Sequence, residues 1–201
     1  MKKIILMALC LCMLLSAAGC GAQKALLDES EYYVYQDGEV YWNPKDAIGE
    51  DGSSYLWFGD YSNSNLETKR GLKIGSTVTQ VKELYGDCEI YSDADRAMTT
   101  VSEYLDQNSG TGEDLSIAIR CYTYDGKNHS EEEYIDDHQE FLDKLDQANG
   151  QEKIDLEDKL YNFEGRVLDI TIDQHTNNPK VSALMICYYT PEWFRNHVTE
   201  E

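Results

Sequence analysis

The side chains that most often carry out enzyme chemistry occur here without the spacing of a recognisable catalytic motif. No Gly-x-Ser-x-Gly elbow, Walker phosphate loop or His-Glu-x-x-His zinc motif is present. The four histidines are His129, His138, His175 and His197. His138 falls on the apolar stripe of a predicted helix, which favours a structural role. Because 38 residues are Asp or Glu, neighbours such as Asp93/Asp95 and Asp136/Asp137 arise by chance, and we predict no catalytic residue and no enzyme activity.

Metal ligation is not predicted either. No Cys/His spacing of a zinc site occurs, and the run from Asp125 to Asn128 does not match an EF-hand calcium loop. Acidic residues crowd the first turns of one predicted helix, where they favour the positive end of its dipole: Glu131, Glu132, Glu133, Asp136, Asp137 and Glu140. A solvated helix face is the favoured interpretation, and cation capture is the alternative. We therefore predict no metal and no cofactor.

The thiol of Cys20 is the one group for which the sequence predicts a definite reaction. Two lysines near the start precede an apolar run from Ile4 to Ala18, which is typical of a secretory signal and short for a membrane-spanning helix. Small residues then precede Cys20. This stretch resembles the lipobox of bacterial lipoproteins, in which the cysteine receives a diacylglyceryl group and becomes the first residue of the mature chain. Ala17 stands where that pattern usually has Leu.

The lipobox resemblance implies a domain organisation and a location. Residues 1–19 would be a signal peptide, residues 20–30 a lipidated cysteine and tether, and residues 31–201 a single domain. The protein would be extracytoplasmic and anchored to the cell membrane by its lipid. Cleavage by ordinary signal peptidase, giving a secreted protein, and an uncleaved anchor are the alternatives.

The charge excludes two classes of partner. The net charge is -21 at a sequence pI near 4.4, and the basic patch that a nucleic acid or an anionic lipid surface requires is missing. We therefore predict contact with the membrane through the N-terminal lipid only. A protein or another envelope component is the expected partner.

Three cysteines remain beyond Cys20, namely Cys88, Cys121 and Cys187. Cys121 continues the alternating apolar series of a predicted strand, which favours a buried, inert thiol. A Cys121–Cys187 disulfide between neighbouring strands is the alternative, which spacing alone does not decide.

The pattern of elements predicts an α+β fold, an antiparallel sheet with helices packed on one face. Asp37-Gly38 predicts the tight turn of a hairpin between 32–36 and 39–42. Further strands are predicted at 54–58, 115–124, 166–173 and 181–189, the last two as a closing hairpin. Helices are predicted at 130–148 and after Thr190-Pro191.

The segment 70–86 is the most distinctive internal motif. Thr77 and Gln80 form a predicted capping box, and Gly86 is predicted to end the helix in a left-handed conformation. The segment resembles the short helical motif of small bacterial lipoproteins, such as those of the outer-membrane barrel-assembly machine, and of the β-lactamase-inhibitory protein repeat. It is also similar to stretches in uncharacterised lipoproteins of Gram-positive gut bacteria. The resemblance implies a helical pair on an antiparallel sheet, and protein binding or assembly without catalysis.

Aromatic residues are concentrated near the N-terminus: Tyr32, Tyr33, Tyr35, Tyr41, Trp42, Tyr55 and Trp57. Cross-strand pairs within a sheet are the favoured interpretation, and outward rings that anchor a partner or stack on a sugar are the alternative. The sequence as a whole predicts a lipid-anchored binding or assembly domain of unknown ligand. A secreted or envelope-associated hydrolase with an unrecognised acidic site is the alternative.

Overall fold

Ten β-strands and five α-helices occur in residues 26–59, 65–92, 97–145 and 147–198, the part of the chain that the computed structural model describes. The strands are β1 Val34–Gln36, β2 Glu39–Trp42, β3 Ser53–Gly59, β4 Leu66–Thr68, β5 Glu89–Ser92, β6 Ala97–Thr100, β7 Leu115–Tyr124, β8 Lys127–His129, β9 Glu164–Asp173 and β10 Lys180–Tyr189. The helices are α1 Val78–Tyr85, α2 Val101–Asn108, α3 Glu131–Leu145, α4 Gln151–Leu160 and α5 Pro191–Val198. Short 3₁₀ helices span Glu29–Tyr32 and Pro44–Ala47.

The predicted signal peptide (1–19), the lipid-attachment residue Cys20 and the pair Asp93/Asp95 lie outside the described residues. Leu27 is only 1% exposed. The packed domain therefore begins by Leu27, inside the segment 20–30 that the sequence assigned to the tether.

The main sheet has five strands in the order β3-β10-β9-β7-β8, and every pairing is antiparallel. Because side chains alternate along a strand, the sheet has two different faces. On the side that we call the core face, β9 presents Arg166, Leu168, Ile170 and Ile172, all buried. On the opposite side, which we call the outer face, β9 presents Gly165, Val167, Asp169 and Thr171. The predicted α+β fold with an antiparallel sheet is confirmed.

Helices α1 and α2 pack on the core face, and their buried residues Val81, Tyr85, Val101 and Leu105 join the same apolar cluster as the strands. The Tyr85 hydroxyl donates to Thr68 Oγ1 at 2.7 Å, so the end of α1 is fixed to β4. The Gly75 N–H donates to the Val181 carbonyl at 2.8 Å, which fixes the start of the same segment to β10. A helix anchored at both ends holds the sheet and the N-terminal strands together.

The predicted capping of α1 is confirmed at its start and wrong at its end. Thr77 and Gln80 form the capping box. Gly86, however, has φ −60° and ψ −27°, a right-handed conformation. Glycine occupies this position because of crowding, since a Cβ there would collide with the Lys82 carbonyl oxygen and the Ser102 hydroxyl. The end of α1 is capped instead by Arg70, which donates to the Leu84 carbonyl at 2.5 Å and is paired with Glu31 at 3.1 Å.

Helices also lie over one end of the outer face, in addition to those on the core face. Tyr134 of α3 stacks on Tyr122 of β7 with 4.6 Å between ring centroids. Phe194 of α5 lies over Gly165, where a Cβ would be only 2.7 Å from its ring. Phe163 joins the two helices, at 4.6 Å from Tyr134 and 4.2 Å from Phe194. The absence of a side chain at Gly165 is therefore what lets α5 close this end of the sheet.

Most of the elements predicted from periodicity are present. The Asp37-Gly38 turn has the positive φ angles of 52° and 83° that its strands require, and β7 has the predicted bounds. Tyr32 belongs to a 3₁₀ helix and not to β1. Strands β4, β5, β6 and β8 and helices α2 and α4 were not predicted. Helix α2 could have been predicted, because Thr100 and Glu103 have the spacing of a capping box and form one.

The three described cysteines are buried free thiols. Cys121 pairs with Arg166 and lies on the core face, whereas Cys187 pairs with Val167 and lies on the outer face. The two are also separated by the whole of β9. A Cys121–Cys187 disulfide would have to pass through the sheet, so the alternative of a disulfide is excluded and the prediction of a buried thiol at Cys121 is confirmed.

We expect Gly86→Asn and Gly86→Ala each to lower the free energy of unfolding by about 1–3 kcal/mol, because any side chain at this position overpacks the α1–α2 contact. Denaturant titration measures the change. Gly126→Asn is the matched control, since Gly126 has a φ of 71° with no atom near its Cβ position, and Asn tolerates that conformation. If Gly86→Asn were as stable as the control, the crowding explanation would be wrong and a left-handed cap at Gly86 would be supported.

Candidate binding surface on the five-stranded sheet

Two cross-strand rows of the outer face lie beyond the part that helices cover, although Cys187 within them is only 3% exposed. One row runs from Tyr55 through Cys187 and Val167 to Arg120, and the other from Trp57 through Met185 and Asp169 to Ala118. Helices α3 and α5 lie over the next row, which contains Gly165 and Tyr122. The uncovered rows are apolar toward β3 and charged toward β7.

Tyr55 and Trp57 form the apolar end of this surface. Tyr55 is 71% exposed and Trp57 54% exposed, although both lie within a strand. The Trp57 ring folds back over Gly59, where a Cβ would be 2.7 Å from it. Among the described residues, no ring packs against Tyr55 or Trp57. We call the side chains of Tyr55, Trp57 and Met185 the aromatic patch; Met185 lies on β10, between β3 and β9.

The interpretation of the N-terminal aromatic residues as cross-strand pairs is thus wrong for the most exposed of them. Tyr32 is buried in the core, whereas Tyr41, Tyr55 and Trp57 point to solvent. The ring stacking of the described residues is instead found where α3, α5, β7 and β10 meet. Local sequence gives the strands but not the face that a neighbouring helix covers, so the exposed rings could not be singled out.

A cleft of about 370 Å³ lies at the charged end of the outer face. It is lined by Ile90, Tyr91, Ser92, Tyr104, Ser116, Ala118, Arg120 and Asp169. Burial raises the pKa of the Asp169 carboxyl, and a 2.9 Å hydrogen bond from the Ser116 hydroxyl and the charge of Arg120 partly offset that rise. The cleft therefore contains one partly desolvated acid held by a hydroxyl and near a cation.

Arg120 connects this cleft to the acidic helix α3. Its guanidinium lies 3.0 Å from Glu131 Oε2 and 3.2 Å from Glu131 Oε1. Other carboxylates of α3 also have partners: Glu133 accepts from the Ser130 N–H at 3.0 Å, and Asp137 accepts from the Tyr124 hydroxyl at 2.7 Å. These carboxylates position the helix and are engaged within the chain, so they do not converge on a common point.

Among the described residues, the structure brings together one group of metal-ligand type that sequence reasoning missed. Asp114, Asp173 and His175 have ligand atoms within 4.8 Å of one another. The β7–β9 register places Leu115 opposite Ile172, so Asp114 and Asp173 become neighbours at the sheet end. No sequence spacing could reveal this proximity. Two of the three are exposed, and such a shallow set would leave most of a cation's coordination to water, so we assign it no function.

Two histidines contact backbone carbonyl groups of their own helices, and the three described cysteines are buried. His138 Nδ1 is 2.8 Å from the Tyr134 carbonyl oxygen, and His197 Nδ1 is 2.9 Å from that of Trp193. Burial raises the pKa of the Cys88 thiol to about 12 and also raises the pKa values of Cys121 and Cys187. Because the thiolate is the reactive form, these cysteines are poor nucleophiles.

No helix among the described residues is long and apolar enough to cross a membrane. Comparisons with known proteins found no matching family model and no significantly similar curated protein or solved structure.

We expect Asp169 to make the folded state less stable as the pH rises from 3.8, the ordinary pKa of an Asp carboxyl, to its raised value in the fold. In this window the folded state binds more protons than the unfolded state, so stability falls with rising pH. Asp169→Asn should lack this fall, and the difference in unfolding free energy between variant and parent should grow across the window. Ser116→Ala should raise the pKa further, as read from the Asp169 carboxyl carbon by NMR. A constant difference, or a lower pKa in Ser116→Ala, would contradict the assignment.

Proposed function

We propose that this protein is a lipid-anchored extracytoplasmic domain that binds a partner protein, without catalysis, through the aromatic patch. The observation that carries the proposal is the exposure of Tyr55 and Trp57 on a sheet face that is closed by helices elsewhere. Large aromatic rings with apolar surroundings are the side chains that most often dominate binding energy at protein interfaces. Protein interfaces commonly have an apolar centre, which loses its water on binding, and a polar rim. The apolar edge at β3 and the charged cleft beside it have this arrangement.

The charge supports the tethered arrangement. The chain has a net charge of -21 and is repelled by an anionic membrane, so a lipid at Cys20 would hold the domain near the surface while its sheet faces solvent. The packed domain begins by Leu27. Residues 20–26 would then link the lipid to the domain.

The cleft gives less support to a hydrolase. Glycoside hydrolysis commonly needs two carboxyl groups flanking the scissile bond, whereas Asp169 is the one carboxylate among the described residues that line the cleft. Its hydrogen bond to Ser116 and the Arg120–Glu131 ion pair occupy the groups that a substrate would otherwise contact. The geometry therefore favours binding over catalysis.

The binding proposal is tested with a Tyr55→Thr/Trp57→Thr double variant of the full chain, cross-linked in native membranes and analysed by mass spectrometry. Threonine keeps the strand propensity and removes the rings. We expect recovery of the stoichiometric partner to fall at least tenfold, as for residues that dominate an interface. Tyr41→Thr is the matched control, because Tyr41 is 58% exposed on β2 of a separate sheet. Equal recovery by the double variant and the control would contradict the proposal.

The anchor is tested separately by Cys20→Ser. We expect the parent protein to be extracted with the membrane and to have the mass of a chain that starts at Cys20 with a diacylglyceryl group. The variant should lose that lipid mass and leave the membrane fraction. An unlipidated parent protein in the medium would show ordinary secretion instead, and the binding proposal would then apply to a secreted domain.

A further inference from the structure

The two edges of the five-stranded sheet are protected differently. Strand β8 at one edge has only three residues and begins with Lys127, both of which discourage pairing with another strand. Strand β3 at the other edge has seven residues, Ser-Ser-Tyr-Leu-Trp-Phe-Gly, with no charge and no proline. An edge of this length and composition is a template for strand addition.

Two backbone hydrogen bonds reveal which peptide groups of β3 point away from the sheet. The Thr190 N–H donates to the Gly52 carbonyl at 2.9 Å, so this carbonyl points toward β10. The Gly49 N–H donates to the Ser53 carbonyl at 2.7 Å, so that of Ser53 points outward. Because peptide groups alternate along a strand, Tyr55 and Trp57 also present their N–H and C=O groups outward.

No partner for these outward groups of Tyr55 and Trp57 occurs among the described residues. The same two residues thus offer both unpaired backbone and exposed rings. A strand laid along β3 would receive backbone hydrogen bonds from them, and its side chains on the outer face would pack beside their rings. The aromatic patch and the open edge are therefore one surface.

The charges around β3 select the occupant. Glu50 and Asp51 precede the strand, and Asp60 follows it in the sequence. The Asp51 carboxylate accepts from the Ser53 N–H at 3.0 Å and from its hydroxyl at 2.8 Å, which fixes a negative charge at the start of β3. Pairing with a second copy would bring together two chains that each carry a net charge of -21. A strand with basic ends is complementary to the acidic residues that flank β3 in the sequence.

We propose that β3 is a docking strand to which an extended segment of the partner protein adds as a sixth antiparallel strand, with apolar side chains at alternate positions and Lys or Arg at both ends. This inference rests on the proposed binding function and names its mode. The main-chain hydrogen bonds supply affinity, while the aromatic patch and the acidic ends of β3 supply specificity.

The test uses the full chain and a designed probe peptide, acetyl-Lys-Lys-Val-Thr-Val-Thr-Val-Lys-Lys-amide, with binding measured by fluorescence anisotropy. We expect binding, and slowed hydrogen exchange at the amides of Tyr55 and Trp57 but not in the hairpin 34–42. The same peptide with its central amides N-methylated, or with Glu in place of Lys, should bind at least tenfold more weakly. The proposal would be overturned by any of three results. The N-methylated peptide could bind as well as the parent peptide, the probe could fail to bind at about 1 mM, or hydrogen exchange could be slowed by self-association without peptide.

Paired variants separate the backbone from the side chains. Tyr55→Thr removes the ring and keeps the outward N–H, whereas Tyr55→Pro removes both and leaves the ladder to β10 intact, since proline is tolerated at edge positions whose N–H faces solvent. We expect Tyr55→Pro to bind the probe at least tenfold more weakly than Tyr55→Thr, with circular dichroism to verify that both are folded. If Thr and Pro variants bind alike but below the parent, the patch binds by side chains and only strand addition fails. If both bind like the parent, the proposed function fails as well.

Discussion

The arrangement of the N-terminal segment around the sheet depends on one buried cation. Arg166 projects from the central strand β9 onto the core face and is only 2% exposed. A buried charge costs several kcal/mol unless it is paired and hydrogen-bonded. Its partners are Glu164 at 2.8 Å, the Thr123 hydroxyl at 2.5 Å and Glu29 at 3.8 Å. These contacts join the 3₁₀ helix Glu29–Tyr32 to the two central strands β7 and β9.

The sheet has one buried face and one partly open face because different kinds of side chain alternate along β9. The residues facing the core are large and apolar except for Arg166, while the residues facing outward include Gly165 and Asp169. Gly165 admits Phe194 and lets α5 close one end. Asp169 lies farther along the same face, where a helix over the strand would desolvate its carboxylate further. One strand thus contributes to the closed core, the covered end and the uncovered surface.

Sequence reasoning succeeded where the signal is local. Turn chemistry at Asp37-Gly38, the capping box at Thr77 and the alternation of β7 each depend on residues a few positions apart, and each is present. It failed where a residue's role depends on a distant neighbour. Gly86 has the sequence context of a left-handed cap, but it is right-handed, and its carbonyl accepts from the Ser102 N–H at 3.0 Å across the α1–α2 packing. Asp114 and Asp173 meet only through strand register.

The sequence by itself determined the charge of the protein, the α+β class and most of the long elements, because composition and short-range periodicity are properties of the chain. Only the tertiary structure decided which strand lies at the edge and which face stays open. Strand order places β3 at the end of the sheet, and helix packing leaves Tyr55 and Trp57 in solvent. It also puts Cys121 and Cys187 on opposite faces. Edges and faces are relations between segments far apart in the chain, so no local pattern encodes them.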